Sequence, residues 1–315
     1  MYALVETILL VFGLVALGYG AGAVRYLRED AGDALTEFAV GIALPLLLFR
    51  TMARADFHGA APWAFWSVYF TAVVVAWATG HLVTTKLFGR ERQAGVVGGV
   101  SAAFSNLVLL GIPFMLGVFG QEGFEILSLL VSVHLPIMIL ASIVQFRLFS
   151  PTLAGGGAIG AARDFVRQIL SNPLIIGIAA GLLWRLSGFP LPPLASRFVD
   201  ALADVAGPVA LFAMGLGLRK FGISGNVKPG IALAVVKLGL MPAVALMAAW
   251  AVGLPPLTAK VAVAAAALPS GVNSYLIATQ LGTGQALASN AMTIATASAV
   301  ITTAFWIAVG QAVFG

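Results

Sequence analysis

Two stretches place proline, glycine and polar side chains inside otherwise apolar runs. One is FSNLVLLGIP, with Ser105, Asn106, Gly111 and Pro113; the other is LPSGVNS, with Pro269, Ser270, Gly271, Asn273 and Ser274. Proline removes a backbone donor and clashes with the preceding turn, and glycine lowers the cost of unwinding. In hydrocarbon an unpaired backbone group costs several kcal/mol, so irregular backbone persists only where protein or a cavity satisfies it. The asparagines and serines supply donors and acceptors there. A helix restarting after such a break presents free amides and a partial positive charge of about half an elementary unit, a natural seat for a carboxylate. The chemistry expected of these residues is therefore binding of small anions at two interrupted helices that face each other.

Other groups join them as candidates. Lys237 lies in the apolar run AVVKLGLMPAV, where a cation is costly and needs compensation. It reads either as a charge that attracts anions or as a side chain reaching an interface. His134 either binds substrate or packs. Asp204 is the best candidate for an ion-coupling acid; Asp200 and Glu37, like Asp204, also fit an interfacial position. Arg50 and Arg54 read as the end of an apolar segment. No covalent catalysis is expected. There is no cysteine, the three histidines (His58, His81 and His134) fall in separate regions, and no hydrolase, zinc or phosphate-loop motif appears. The catalytic and metal-ligand sets are expected to be empty, and no organic cofactor is called for.

These residues need a membrane fold to position them. The chain has 315 residues, 60% of them apolar and only 9% charged, against about 25% charged in soluble domains. That excludes a soluble enzyme, a disordered chain and a nucleic-acid binder. Stretches of roughly 20 apolar residues, enough to cross a bilayer, occur ten times: 4–24, 34–53, 62–85, 94–119, 124–148, 168–187, 198–218, 230–252, 259–281 and 287–313. Loops after odd spans hold eleven basic residues and loops after even spans five. Odd loops are then cytoplasmic and both termini extracytoplasmic. No basic residue precedes Arg25, which favours a retained first span over a signal peptide.

The halves match in layout. Span two carries Pro45 and span seven Pro208, each followed by basic residues; spans four and nine carry the breaks, each ending near a Gly-Gln pair. Five spans per unit force opposite orientations, and interrupted helices at matching positions of an inverted repeat point to a transporter site. The expected fold is an all-α polytopic membrane protein: a first repeat over 1–150, a Gly-rich cytoplasmic linker over 151–167, and a second repeat over 168–315. Gly95/Gly99 and Gly177/Gly181 are small-residue pairs suited to close helix contact.

On Asn106-LVLL-Gly111-Ile-Pro113, the Asn172-Pro173 opening of span six, and Leu268-Pro269-Ser270-Gly271, the chain resembles the auxin efflux carrier family, which includes plant PIN transporters and bacterial malonate-transporter-like proteins. The resemblance covers essentially the whole chain. It implies a homodimer with a scaffold of spans one, two, six and seven and a transport domain of spans three to five and eight to ten. Spans four and nine would cross at their prolines, and the transport domain would move as an elevator, as in the related bile-acid symporter architecture. The crossover residues it carries over are Asn106, Gly111, Pro113, Pro269 and Ser270. The plant branch has an acid and a lysine in span three, which this chain lacks there.

The expected function is a secondary carrier of small organic anions in the cell membrane, working in export, with Asn106, Gly111, Pro113, Pro269, Ser270, Gly271, Asn273, His134 and Lys237 at the substrate. The alternative is a sodium- or proton-coupled symporter that imports such an anion. Its partners would be the anion, the bilayer and a second copy, not nucleic acid.

Overall fold

The computed structural model describes residues 2–28, 30–54, 62–149, 166–167, 170–221, 223–225 and 227–315. The expected linker, apart from 166 and 167, lies outside the described residues, as does His58. Among the described residues the fold is all-helical, with one isolated β-bridge. Seven helices among the described residues are long and apolar enough to cross a membrane: Glu6–Ala23, Ala31–Arg54, Pro62–Leu87, Leu107–Phe149, Pro193–Arg219, Lys228–Val252 and Gln285–Phe314. The chain is a multi-pass membrane protein.

The difference from ten has local causes. Helical residues run from Ile112 to Phe149, but Gly120 sits at φ 65° and ψ −159°, a conformation essentially reserved for glycine. It divides that run between the expected fourth and fifth spans. Within the expected sixth span the described residues hold the 15-residue helix Pro173–Ser187. Asn172 caps it by accepting from the Leu174 amide at 2.9 Å, Pro173 fills a first-turn position that needs no donor, and Gly188 ends it in the left-handed region. The expected ninth span is two helices, Pro256–Ala267 and Val272–Gln280.

Proline also writes a finer feature. Wide π-turns occupy Ala39–Ala43, Leu107–Gly111 and Val236–Leu240. Each ends two residues before a proline: Pro45, Pro113 and Pro242. A proline ring clashes with the carbonyl four residues back and cannot bond it; widening the preceding turn relieves that crowding. A fourth π-turn, Val83–Leu87, lies at a helix end with no such proline.

The chain divides into two compact units. The first comprises Met1–Ala60, Val108–Val133 and Gly156–Lys220; the second comprises Ala61–Leu107, His134–Gly155 and Phe221–Gly315. In the first, Gly177 and Gly181 bring the helix Pro173–Ser187 against the backbone of Pro45 and Phe49. In the second, Gly95 and Gly99 bring Arg92–Ala103 against Thr85, His81 and Trp77. Both small-residue pairs thus make contacts within the chain.

Candidate functional site

In the second unit, two helices end in mid-sequence. Arg92–Ala103 stops where Phe104 turns extended (φ −81°, ψ 93°), and Pro256–Ala267 stops where Leu268 does the same (φ −62°, ψ 146°). The freed backbones meet. Ser105 and Ser270 face each other in an antiparallel bridge. The Asn106 amide donates to the Pro269 carbonyl at 2.9 Å, and the Gly271 amide donates to the Phe104 carbonyl at 3.2 Å. Two breaks that would each leave orphaned groups therefore satisfy part of each other's need. Gly271 lies close to the other strand: a Cβ there would sit 3.3 Å from the Asn106 Cα and Cβ, a tight contact.

Polar side chains crowd this junction. Tyr69, fully buried on Pro62–Leu82, donates to the Ser105 hydroxyl at 3.0 Å. The ring of His134 packs edge-on to Phe104 (4.8 Å between centroids) and Tyr69 (5.5 Å), and lies nearly parallel to Phe70. His134 is 3% exposed and Ser270 1%, and neither ring nitrogen of His134 nor the Ser270 hydroxyl has a hydrogen-bond partner within the described chain. Asn106 is buried beside them, and Asn273 is half-buried in the first turn of Val272–Gln280. In that first turn the Ser274 amide donates to the Gly271 carbonyl at 3.1 Å.

Lys237 completes the group. It sits in the π-turn Val236–Leu240, is 0% exposed, and its Nζ donates to the Ala266 carbonyl at 2.6 Å. In an unbroken helix the Ser270 amide would take that carbonyl; the break at Pro269 removes it. The neighbouring Leu238 carbonyl is the one Pro242 cannot bond, and the Trp306 indole donates to it at 2.7 Å. Lys237 is held inside the protein, so the interfacial reading of this residue is corrected: the bond to Ala266 turns its ammonium inward.

A family model described as membrane transport protein matches residues 3–155 and 161–307. The chain belongs to that family, the auxin efflux carriers. It is 24% identical over 307 residues to an uncharacterized transporter of Methanothermobacter thermautotrophicus, covering 96% of each chain. It is 28% identical over 305 residues to a protein of Rhizobium meliloti named "Putative malonate transporter", covering 92% of this chain and 91% of that one. With auxin efflux carrier component 7 of Arabidopsis thaliana it shares 30% identity over 130 residues, which is 39% of this chain and 21% of that one.

The expected residues of this auxin efflux carrier family member divide between its units. Asn106, His134, Lys237, Pro269, Ser270, Gly271 and Asn273 fall in the second; Gly111, Pro113 and Asp204 fall in the first. There, Asp204 is ion-paired with Arg50 at 2.7 Å, and Asp200 contacts Arg50 (3.3 Å) and Arg54 (3.2 Å). Asp204, Arg50, Pro113, Gly207 and Thr7 help line a largely apolar cavity of about 290 Å³. Sequence reading missed the pairing of Arg50 with Asp204; a basic residue near the end of one apolar run and an acid near the start of another was the available signal. It also missed Tyr69, one tyrosine among many apolar neighbours. Among the described residues no cluster of three histidine or acidic side chains could hold a metal.

Proposed function

We propose that this chain is a secondary carrier of small organic anions that binds its substrate carboxylate where the two broken helices meet. The observation that carries the reading is the bridge between Ser105 and Ser270, with the hydroxyl of Ser270 and the ring nitrogens of His134 buried and without partners beside it. Buried polar atoms normally have partners, and an arriving carboxylate and its waters would supply them. Lys237 adds a cation at the same junction. Small dicarboxylates are the first class to test, as the name of the Rhizobium meliloti relative suggests; aromatic acids are the second.

In this reading ten spans form a 5+5 inverted repeat. Spans one, two, six and seven are the scaffold of a homodimer in the cell membrane, both termini lie outside, and the remaining spans move as an elevator. The division of the chain into two compact units supports a two-body mechanism. Export needs no coupled ion. A monoanion leaving a cell held at about 100 mV, inside negative, gains about 2.3 kcal/mol, which sustains a gradient of roughly fifty-fold.

The test is uptake of labelled malonate and aromatic acids into proteoliposomes under an imposed potential. Uptake should follow the potential, and Asn106→Ala and Asn273→Ala should each abolish it while the protein still purifies as a folded species. Flux that ignores potential for every acid, or survives both substitutions, would remove the reading.

A further inference from the structure

The second unit is nearly free of acid. Across 61–107, 134–155 and 221–315 the only side-chain carboxylate is Glu91, against Lys86, Arg90, Arg92, Arg147, Lys228, Lys237 and Lys260. Glu91 is exposed and immediately precedes the helix Arg92–Ala103, about 18 Å of helix away from the end that breaks. Among the described residues the Lys237 ammonium makes no ion pair. A buried cation without an anion demands another source of negative potential.

The Pro256–Ala267 helix supplies it. Its last carbonyls lack intrahelical donors, and its C-terminal end carries a partial negative charge. Pro269 cannot serve Ala265, and the Ser270 amide has left the position from which it would serve Ala266. In broken-helix carriers, carbonyls of this kind coordinate the transported or coupling cation. Here Lys237 Nζ donates to one of them at 2.6 Å. The π-turn that carries Lys237 is fixed from two sides, by Pro242 behind it and by Trp306 on the Leu238 carbonyl.

We infer that Lys237 is a built-in cation for the broken helix: its ammonium fills the carbonyl end at Ala266, and removing it opens a site there for a small monovalent cation. The inference concerns the ion requirement of the proposed binding site and takes its meaning from the carrier reading, but its test needs no substrate and no transport.

The experiment is thermal unfolding of the purified, detergent-solubilised protein in choline, sodium, ammonium or methylammonium chloride at equal ionic strength. The wild type should unfold at the same temperature in all four. Lys237→Ala should unfold at least about 3 °C lower in choline and be restored, saturably, by methylammonium or another of the small cations. Lys237→Met, whose side chain fills the space without a charge, should be lowered and not restored. Saturable stabilisation of the wild type by sodium would overturn the inference, and that measurement stands even where Lys237→Ala cannot be isolated folded. So would a Lys237→Ala protein as stable as wild type, or one lowered and restored by none of the small cations. Anion uptake plays no part in any of these outcomes, so a failed carrier reading and a failed cation reading give different results.

Discussion

Ser105 and Ser270, 165 residues apart in sequence, stand opposite each other in the only β-bridge among the described residues. Neither is a strand former by context. They pair because each follows a helix that has stopped, and the flanking amides of Asn106 and Gly271 find carbonyls across the gap.

Filling that gap should uncouple the pair. Gly271 has φ −89°, so an added side chain is not strained by backbone angle; the obstacle is Asn106 at 3.3 Å. Gly271→Ala should be tolerated by a shift of a few tenths of an ångström. Gly271→Val should separate the strands and forfeit two hydrogen bonds worth about 1 kcal/mol each. Anion uptake in proteoliposomes is expected to fall by at least about tenfold for valine and less than twofold for alanine. Equal activity of the two would show that the spacing is irrelevant.

In the fourth span the sequence pointed to Gly111 and Pro113, which are helical, whereas the chain breaks earlier, at Phe104–Asn106. The break at Pro269 and Gly271 was legible because proline and glycine act locally, through a missing donor and a missing Cβ. The same holds for the π-turns in retrospect: a proline two residues beyond each of three of them is a signal written in the sequence. What was not legible is contact at a distance. Nothing in the apolar run around Tyr69 marks it as the donor to Ser105, and Arg50 near the end of one run does not announce Asp204. The number of uninterrupted helices was also hidden, since the turn at Gly120 depends on one residue's dihedral angles rather than on hydropathy.

Tyr69 gives a double-mutant test. Removing its hydroxyl leaves the Ser105 oxygen buried without its donor, which costs about 1–3 kcal/mol. Tyr69→Phe should lower the unfolding temperature by a few degrees. Ser105→Ala in the same background should recover part of that loss, because no polar atom is then stranded. A strictly additive double mutant would mean that the two hydroxyls are not coupled.

Trp306 and Pro242 form a second cycle. Trp306→Phe withdraws the donor from the Leu238 carbonyl and should destabilise the protein by about 1–3 kcal/mol. Pro242→Ala restores an amide at the position that serves Leu238 in an ordinary helix. Added to Trp306→Phe, it should return part of the lost stability, while alone it should bring no comparable gain. Thermal unfolding of the four proteins decides it; a double mutant less stable than Trp306→Phe would show that the π-turn, not the unpaired carbonyl, governs this region.

Asp204 is the remaining acid with a claim to ion coupling, and its surroundings argue against that role. Its carboxylate is held by Arg50 at 2.7 Å and its side chain is 67% exposed, so water screens the pair and its removal should cost less than about 1 kcal/mol. Arg50 is only 20% exposed and meets Asp200 as well, so Arg50→Ala leaves two acids facing a half-buried gap and should cost more than Asp204→Asn. If the pair is a brace between Leu44–Arg54 and Pro193–Asp204, Asp204→Asn should keep at least half of wild-type uptake and the same dependence on external pH. A coupling acid behaves otherwise: neutralising it would flatten the pH profile or abolish uptake driven by a proton gradient while leaving exchange of anion for anion intact. Measuring both fluxes on Asp204→Asn and Arg50→Ala separates a mechanical clamp from a proton carrier.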